Sequence, residues 1–391
     1  MSRTVIVLGA GIGGLCVAEK LGDYLPDGDR VVLVDRSDRQ LLGLSLLWVL
    51  RGWRSPDQVQ TNVDRIARRG VEFVRGEVEA IVPAERKVRV SGSELAYDAL
   101  VIALGAEMSS GVVPGLGEAT AGVSPGGEFF SLEGAAALAE RFGAFDGGRL
   151  CVAVTRLPFR CPAAPYEAAL LLGDLLKERG LRDQTTIDAF TPEPFPMPVA
   201  GSRVGQALIG LLGERGIGFH PQQELESVDV RAHELRFKSG RTEGYDFLVV
   251  IPPHRPPAPV AALGFSEAGW VPVEPRTLAA PAEGVWAIGD VASLPLVDGK
   301  NLPKAGVFAQ GEAEIAAQAV ARHLGYAAPE PWFSGNGWCY VEVGDGMAAY
   351  GSGNFLAEPG PKVELSPPSI EHHRAKEAEE AAWRERWRTP A

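Results

Sequence analysis

Cysteine is scarce in this chain: Cys16, Cys151, Cys161 and Cys339 are too few for a disulfide scaffold. A pair with special chemistry in a reducing compartment suits the count better, and cytoplasmic residence is the expectation. Basic charge is also short. The 38 Lys and Arg face 50 Asp and Glu, and the net charge of -12 argues against general affinity for nucleic acid or anionic lipid. Long apolar runs are missing, since stretches such as Leu46 to Leu50 fall far below the roughly 20 residues of a spanning helix. No Cys-x-x-Cys-His occurs, so no c-type haem attaches to this chain, and no metal-ligand set is assigned. The apolar segment after Arg3 has the outline of a secretory signal, but glycines interrupt it. What abounds is Gly (47) and Pro (30), the residues of tight turns and of backbone that approaches a ligand closely.

Those glycines begin early. TVIVLGAGIGGLCVAEKL reads as a buried strand from Thr4 to Leu8, a turn, and a helix from about Gly13, with RVVLVD supplying a second strand that ends at Asp35 and Arg36. In Gly9-x-Gly11-x-x-Gly14 the first glycine makes the turn, the second allows close approach to a pyrophosphate, and the third lets the helix pack on the strand. Asp35, at a strand end, is placed to accept from ribose hydroxyls. YDALVIALGA returns to a buried strand and brings Ala103 and Gly105 beside the same turn. Much later, GVWAIGDVA ends a strand in Gly289-Asp290, and Leu302-Pro303-Lys304-Ala305-Gly306 opens a helix. A carboxylate at such a strand end suits the ribityl or pyrophosphate part of FAD. A helix start with Lys304 suits negative charge on the reduced ring, a solvated lysine being the alternative. FAD is therefore expected, and NAD is not, in this first unit.

Glu107 to Gly127 is rich in Gly, Pro and Ser and reads as a crossover. A second alternation follows, with a helix at Leu132 to Phe142, a strand at Arg149 to Thr155, a helix from Pro162 to Arg179, a strand at Thr186 to Phe190, a helix at Ser202 to Arg215, short strands around His220 to Phe237 and a buried strand at Phe247 to Ile251. The fold class expected is α/β, with two Rossmann-like dinucleotide-binding domains in the manner of glutathione reductase. Residues 1–112 and 270–330 would form the FAD domain, 113–269 the second domain, and 331–391 a C-terminal appendage. The second strand turn carries RLPFRCPAAPYE where a nucleotide site needs glycines; Leu157, Phe159 and the prolines should keep a pyrophosphate away. Cys161 precedes Pro162 there, so its sulfur is expected at a helix N-terminus whose dipole favours thiolate, a small buried residue being the alternative.

RCPAAPYEAALLL, TPEPFPMPVAG, IPPHRPP, GVWAIGDVASLPL, LPKAGVFAQGEAE and GNGWCYVEVGDG together resemble the sulfide:quinone oxidoreductases and the flavoprotein subunit of flavocytochrome c sulfide dehydrogenase. In that family two cysteines flank the flavin and form a redox-active disulfide; Cys161 and Cys339 are the matching positions. The resemblance implies attack by sulfide, or a related persulfide, on the Cys161/Cys339 disulfide, with Cys161 carrying the persulfide, Cys339 facing the flavin and two electrons passing through FAD to a quinone. Glu167 is the candidate proton acceptor, an exposed helix carboxylate being the alternative. Family members with covalent flavin carry another cysteine soon after the second strand; Arg36 to Trp53 contains none, so non-covalent FAD is implied. Cys16 and Cys151 read as packing residues.

Two rival functions stand beside this one: an NADH:quinone reductase of similar fold, and a non-catalytic flavin redox sensor. The C-terminal stretch IEHHRAKEAEEAAWRERWRT is helical in pattern, with Trp383 and Trp387 one turn apart among Arg384, Arg386 and Arg388. Peripheral membrane docking and a helix packed on the protein body or at a homodimer contact are the alternatives, and the lack of a broad apolar stripe favours packing. His220, His254, His372 and His373 have no assigned role.

Overall fold

In the computed structural model, which describes residues 2–63, 66 and 70–387, the N-terminal motif folds as strand β1 (Thr4–Leu8), helix α1 (Ile12–Tyr24) and strand β2 (Arg30–Asp35). Val5 to Leu8 expose nothing, as expected of a parallel strand covered on both faces. Next come β3 (Val71–Arg75) and β4 (Ala99–Ile102). The chain then leaves for β5 (Gly126–Gly127), α2 (Leu132–Gly143), β6 (Gly148–Val154), α3 (Ala164–Glu178), β7 (Thr185–Phe190), α4 (Ser202–Glu214), β8 (Ile217–His220) and β9 (Phe247–Ile251). It returns with β10 (Val285–Ala287) and α5 (Gly306–His323), and ends in β11 (Asn336–Gly344), β12 (Met347–Asn354), β13 (Lys362–Ser369) and α6 (Ile370–Arg386).

The first parallel sheet runs β10-β4-β1-β2-β3 and the second β5-β9-β6-β7-β8. The four consecutive strands β4-β1-β2-β3 and β9-β6-β7-β8 have the same order, and each unit carries a three-stranded antiparallel insert, Val78–Val82, Lys87–Val90 and Ser93–Ala96 in one, Leu225–Asp229, Glu234–Phe237 and Thr242–Gly244 in the other. This is the doubly wound α/β plan in duplicate. In such sheets a ligand lies beyond the carboxyl ends of the strands, where the winding reverses, here between β1 and β4 and between β6 and β9.

The C-terminal region adds an antiparallel sheet, β11-β12-β13, and α6 packs upon it. Trp383 and Trp387 are 5% and 1% exposed; the Trp383 indole donates to Gln40 Oε1 at 3.0 Å, and Arg386 pairs with Glu19. Both indoles thus face protein, as in the alternative of a helix packed on the protein body. Arg388 lies outside the described residues. Among the described residues no helix is long and apolar enough to cross a membrane.

Candidate functional site

At the β1/β4 reversal a cavity of about 580 Å³ opens. Gly9 sits at φ 98° with its N–H on the Val34 carbonyl at 2.7 Å, and a Cβ there would lie 2.3 Å from the Ala103 oxygen. A Cβ on Gly14 would fall 1.7 Å from the Gly9 oxygen, so α1 can rest on the turn only without one. A Cβ on Gly11 would meet nothing within 4 Å, leaving its backbone bare toward the cavity. Gly9, Gly11, Gly13, Asp35, Arg36, Ala103 and Gly105 all line this space; Gly14 lies behind it. Asp35 accepts from the Ala10 N–H at 2.6 Å and the Ser37 N–H at 2.8 Å, so it also braces the glycine turn.

The later motifs reach the same cavity. Gly289, Asp290, Lys304, Ala305 and Gly306 line it, and neither α1 nor α5 has a side chain capping its N-terminus, so two sets of helix N–H groups converge on it. Lys304 is not a solvated lysine. Its Nζ donates to the Asp290 and Ala292 carbonyls at 2.6 and 3.3 Å and sits 3.6 Å from the Trp270 ring centre, so it pins the Gly289 loop. Burial pushes its ammonium down to about 8. Glu312, unremarked in sequence because it lies within an ordinary helical pattern, is buried beneath that loop, takes the Gly289 N–H at 2.6 Å, and is pushed up by burial to about 7.

Cys161 and Cys339 also line this cavity. Cys161 is held at φ 54°, in the left-handed region, by its N–H on the Lys304 carbonyl at 2.8 Å and its carbonyl on the Ala164 N–H at 2.9 Å. That conformation costs a non-glycine residue about 1 kcal/mol or more. Cys339 is carried by β11 opposite Gly351, where an added Cβ would come within 3.3 Å of its sulfur. Both are free thiols. The expected thiolate preference of Cys161 is overturned: α3 starts three residues further on, at Ala164, and burial, with the Glu167 charge, pushes the thiol up to about 11 despite Lys376 and the Ala164 amide. The exposed surface of Cys161 faces the cavity rather than bulk water, which is why desolvation dominates. Burial, and next the neighbouring Cys161, raises Cys339 to about 12.

Glu167 is not an exposed helix carboxylate. It is 3% exposed and pairs at 2.5 Å with Lys376, which is equally enclosed and lies 3.7 Å from Glu342, a residue with no exposed surface. Burial raises Glu167 against the pull of Lys376. Burial lowers Lys376, but the two carboxylates outweigh it and its pKa ends above the ordinary lysine value. Sequence concealed Lys376 because AKEAEEAAW has the charge density of a solvated helix face. Arg160 and Phe130, also on the cavity wall, were missed for want of any motif.

The Thr155 N–H and hydroxyl both bond the Ile251 carbonyl, at 3.1 and 2.9 Å, bridging β6 and β9. Phe159 and Tyr166 are buried, and Tyr166 donates to Glu193, just past β7, at 2.8 Å. Burial pushes Glu193 up to about 7. An unfolded glutamate ionises near pH 4.3, so the folded state binds the extra proton between these values and this group erodes stability as pH rises to about 7. Glu193→Gln keeps the acceptor and removes the charge. It should stabilise the protein by up to about 3 kcal/mol at pH 8 and by little at pH 4.5; denaturant unfolding at the two pH values measures the difference, and an equal effect at both would contradict it.

The residues fit the FAD that the sequence implies: a bare glycine turn, two open helix N-termini and an acid at each of two strand ends share one elongated cavity. Comparisons agree. The profile of the pyridine nucleotide-disulphide oxidoreductases matches residues 3–152. The mitochondrial sulfide:quinone oxidoreductase of Dictyostelium discoideum is 26% identical over 302 residues, 74% of this chain and 66% of that protein, so the chain spans just under two thirds of that relative. An Arabidopsis thaliana alternative NAD(P)H-ubiquinone oxidoreductase is 30% identical over 53% of this chain and 44% of its own. The solved sulfide:quinone oxidoreductase of Aquifex aeolicus superposes with a TM-score of 0.86 over 98% of this chain and 91% of that one, at 22% identity.

Proposed function

Because the chain is an FAD-dependent oxidoreductase on the two-dinucleotide-domain plan, homologous to the sulfide:quinone oxidoreductases, we propose that it oxidises sulfide through a Cys161/Cys339 pair and passes the electrons to a quinone. The observation that carries this is the meeting of two cysteines, distant in sequence, in the cavity that the glycine turn also lines. A hydrosulfide ion attacks one sulfur of the oxidised pair; the S–S bond breaks, giving a persulfide on one cysteine and a thiolate on the other. A second hydrosulfide takes the outer sulfur away as HSS⁻, leaving a thiol. Loss of one proton and two electrons from that thiol–thiolate pair restores the disulfide.

Bound non-covalent FAD supplies the two-electron acceptor, which the quinone reoxidises. The Gly9–Gly14 turn and the starts of α1 and α5 would hold its pyrophosphate, and Asp35 its ribose. Glu167 faces the cavity beside Cys161 and takes the proton; with thiols raised to about 11 and 12, a neighbouring base is required near neutral pH. Lys376 pulls the pKa of that base and of the Cys161 thiol downward, against the burial that raises both. The scarcity of cysteine suits a reducing, cytoplasmic setting.

Anaerobic titration tests the proposal against its rival. Sulfide should bleach the flavin absorbance in a stoichiometric titration, and NADH should not, because Thr155 bridges β6 and β9 and the turn after β6 carries Leu157, Phe159 and prolines where a nucleotide needs glycines. Bleaching by NADH with none by sulfide would move the protein to the NAD(P)H-oxidising relatives.

A further inference from the structure

Residues 48–54 and α6 bound a second cleft of about 310 Å³, lined by Trp48, Trp53, Arg54, His373 and Glu377. It is joined to the first cavity by continuous polar side chains. Glu167 and Lys376 line the first cavity; Lys376 lies 3.7 Å from Glu342; the Glu342 carboxylate meets His373 Nδ1 at 2.9 Å and accepts from the Trp48 indole at 3.0 Å; His373, with 17% of its side chain exposed, lines the second cleft. No apolar side chain interrupts the series.

The charges of this series do not balance. Glu167 and Glu342 contribute two negative charges and Lys376 one positive, in a region with almost no solvent. Of these groups His373 reaches both sides, with Nδ1 on Glu342 at 2.9 Å and Nε2 3.9 Å from Glu377 at the second cleft. Around it stand Glu342 from β11, Glu377 from α6 at 3.9 Å, and Arg54, which is drawn to Glu380 at 2.9 Å and lies over the Trp48 ring; the Trp48 and Trp53 rings close the sides.

We propose that the second cleft is the proton exit of the redox site, with His373 releasing to solvent the proton that Glu167 takes from the Cys161/Cys339 pair. As Lys376 takes a proton from Glu167 it hands one across 3.7 Å to Glu342, Glu342 hands that proton to Nδ1 of a neutral His373, and Nε2 releases one toward the cleft, so every group returns to its starting charge after one turnover. The inference rests on the cysteine-pair reaction above, which releases one proton for each disulfide re-formed.

Two variants test it. His373→Gln can still hydrogen-bond Glu342 but cannot carry a proton, and His373→Ala enlarges the cleft enough to admit imidazole. With FAD content and melting temperature checked in each, steady-state turnover with sulfide and a soluble quinone should fall about tenfold or more in both, with KM for sulfide unchanged and a larger solvent deuterium isotope effect. Added imidazole should restore His373→Ala in a saturable, pH-dependent manner and leave His373→Gln slow. Wild-type-like turnover in His373→Gln, or a slow His373→Ala that imidazole does not help, overturns the exit while leaving the sulfide reaction standing. A wild-type protein that sulfide does not reduce overturns the reaction itself.

Discussion

Cys339→Ser should slow flavin reduction by sulfide by about a thousandfold or more, and Cys161→Ser should do the same, because each sulfur acts only as half of a unit. Serine nearly preserves the size of the side chain but offers no S–S bond for sulfide to break. FAD occupancy should be unaffected, since neither sulfur belongs to the glycine turn, the Asp35 strand end or the helix starts that would hold the cofactor. Dithionite, which needs no cysteine, should reduce the flavin of both variants at the wild-type rate. Anaerobic stopped-flow mixing with sulfide measures the loss. Unchanged reduction in either variant would mean that sulfide, if it reacts, meets the flavin directly, and the cysteine chemistry would have to be abandoned while the flavin assignment remained.

The glycine turn was legible from sequence because its demands are local: a positive φ at Gly9 and a helix resting on the Gly9 carbonyl at Gly14 are settled by residues a few positions apart. The alternation of strands and helices was legible for the same reason, through continuous apolar runs in β1, β6 and β9. The three-stranded C-terminal sheet was not. β13 reads KVELSPPS, whose two prolines argue against a strand and are tolerated only because it is the edge of its sheet. The acidity of Cys161 was misjudged because a sequence displays the coming helix but not the desolvation that outweighs its dipole. Glu342 and Lys376 escaped notice because their burial is created by partners from α3, and no pattern within GWCYVEVG or HRAKEAEE distinguishes a buried charge from a solvated one.

Lys376→Met should destabilise the protein by about 3–5 kcal/mol at pH 8, the range for leaving buried charge without its partner. Methionine fills a similar volume, so the loss reports charge rather than a void. Glu167 and Glu342 would then face each other's charge without the ammonium between them. Their folded pKa values must rise above the unfolded value near 4.3, so the folded variant takes up protons as pH falls, and the deficit should narrow steadily from pH 8 toward pH 5. A second change, Glu167→Gln in the Lys376→Met background, removes one of the two uncompensated charges and should recover part of the stability at pH 8. The single variant should also react more slowly with iodoacetamide at Cys161, because the ammonium that now lowers that thiol would be gone. Guanidinium unfolding across this pH range measures the first two effects. A deficit below about 1 kcal/mol, or one that does not vary with pH, would show that the ammonium is not what sustains the two carboxylates in the core.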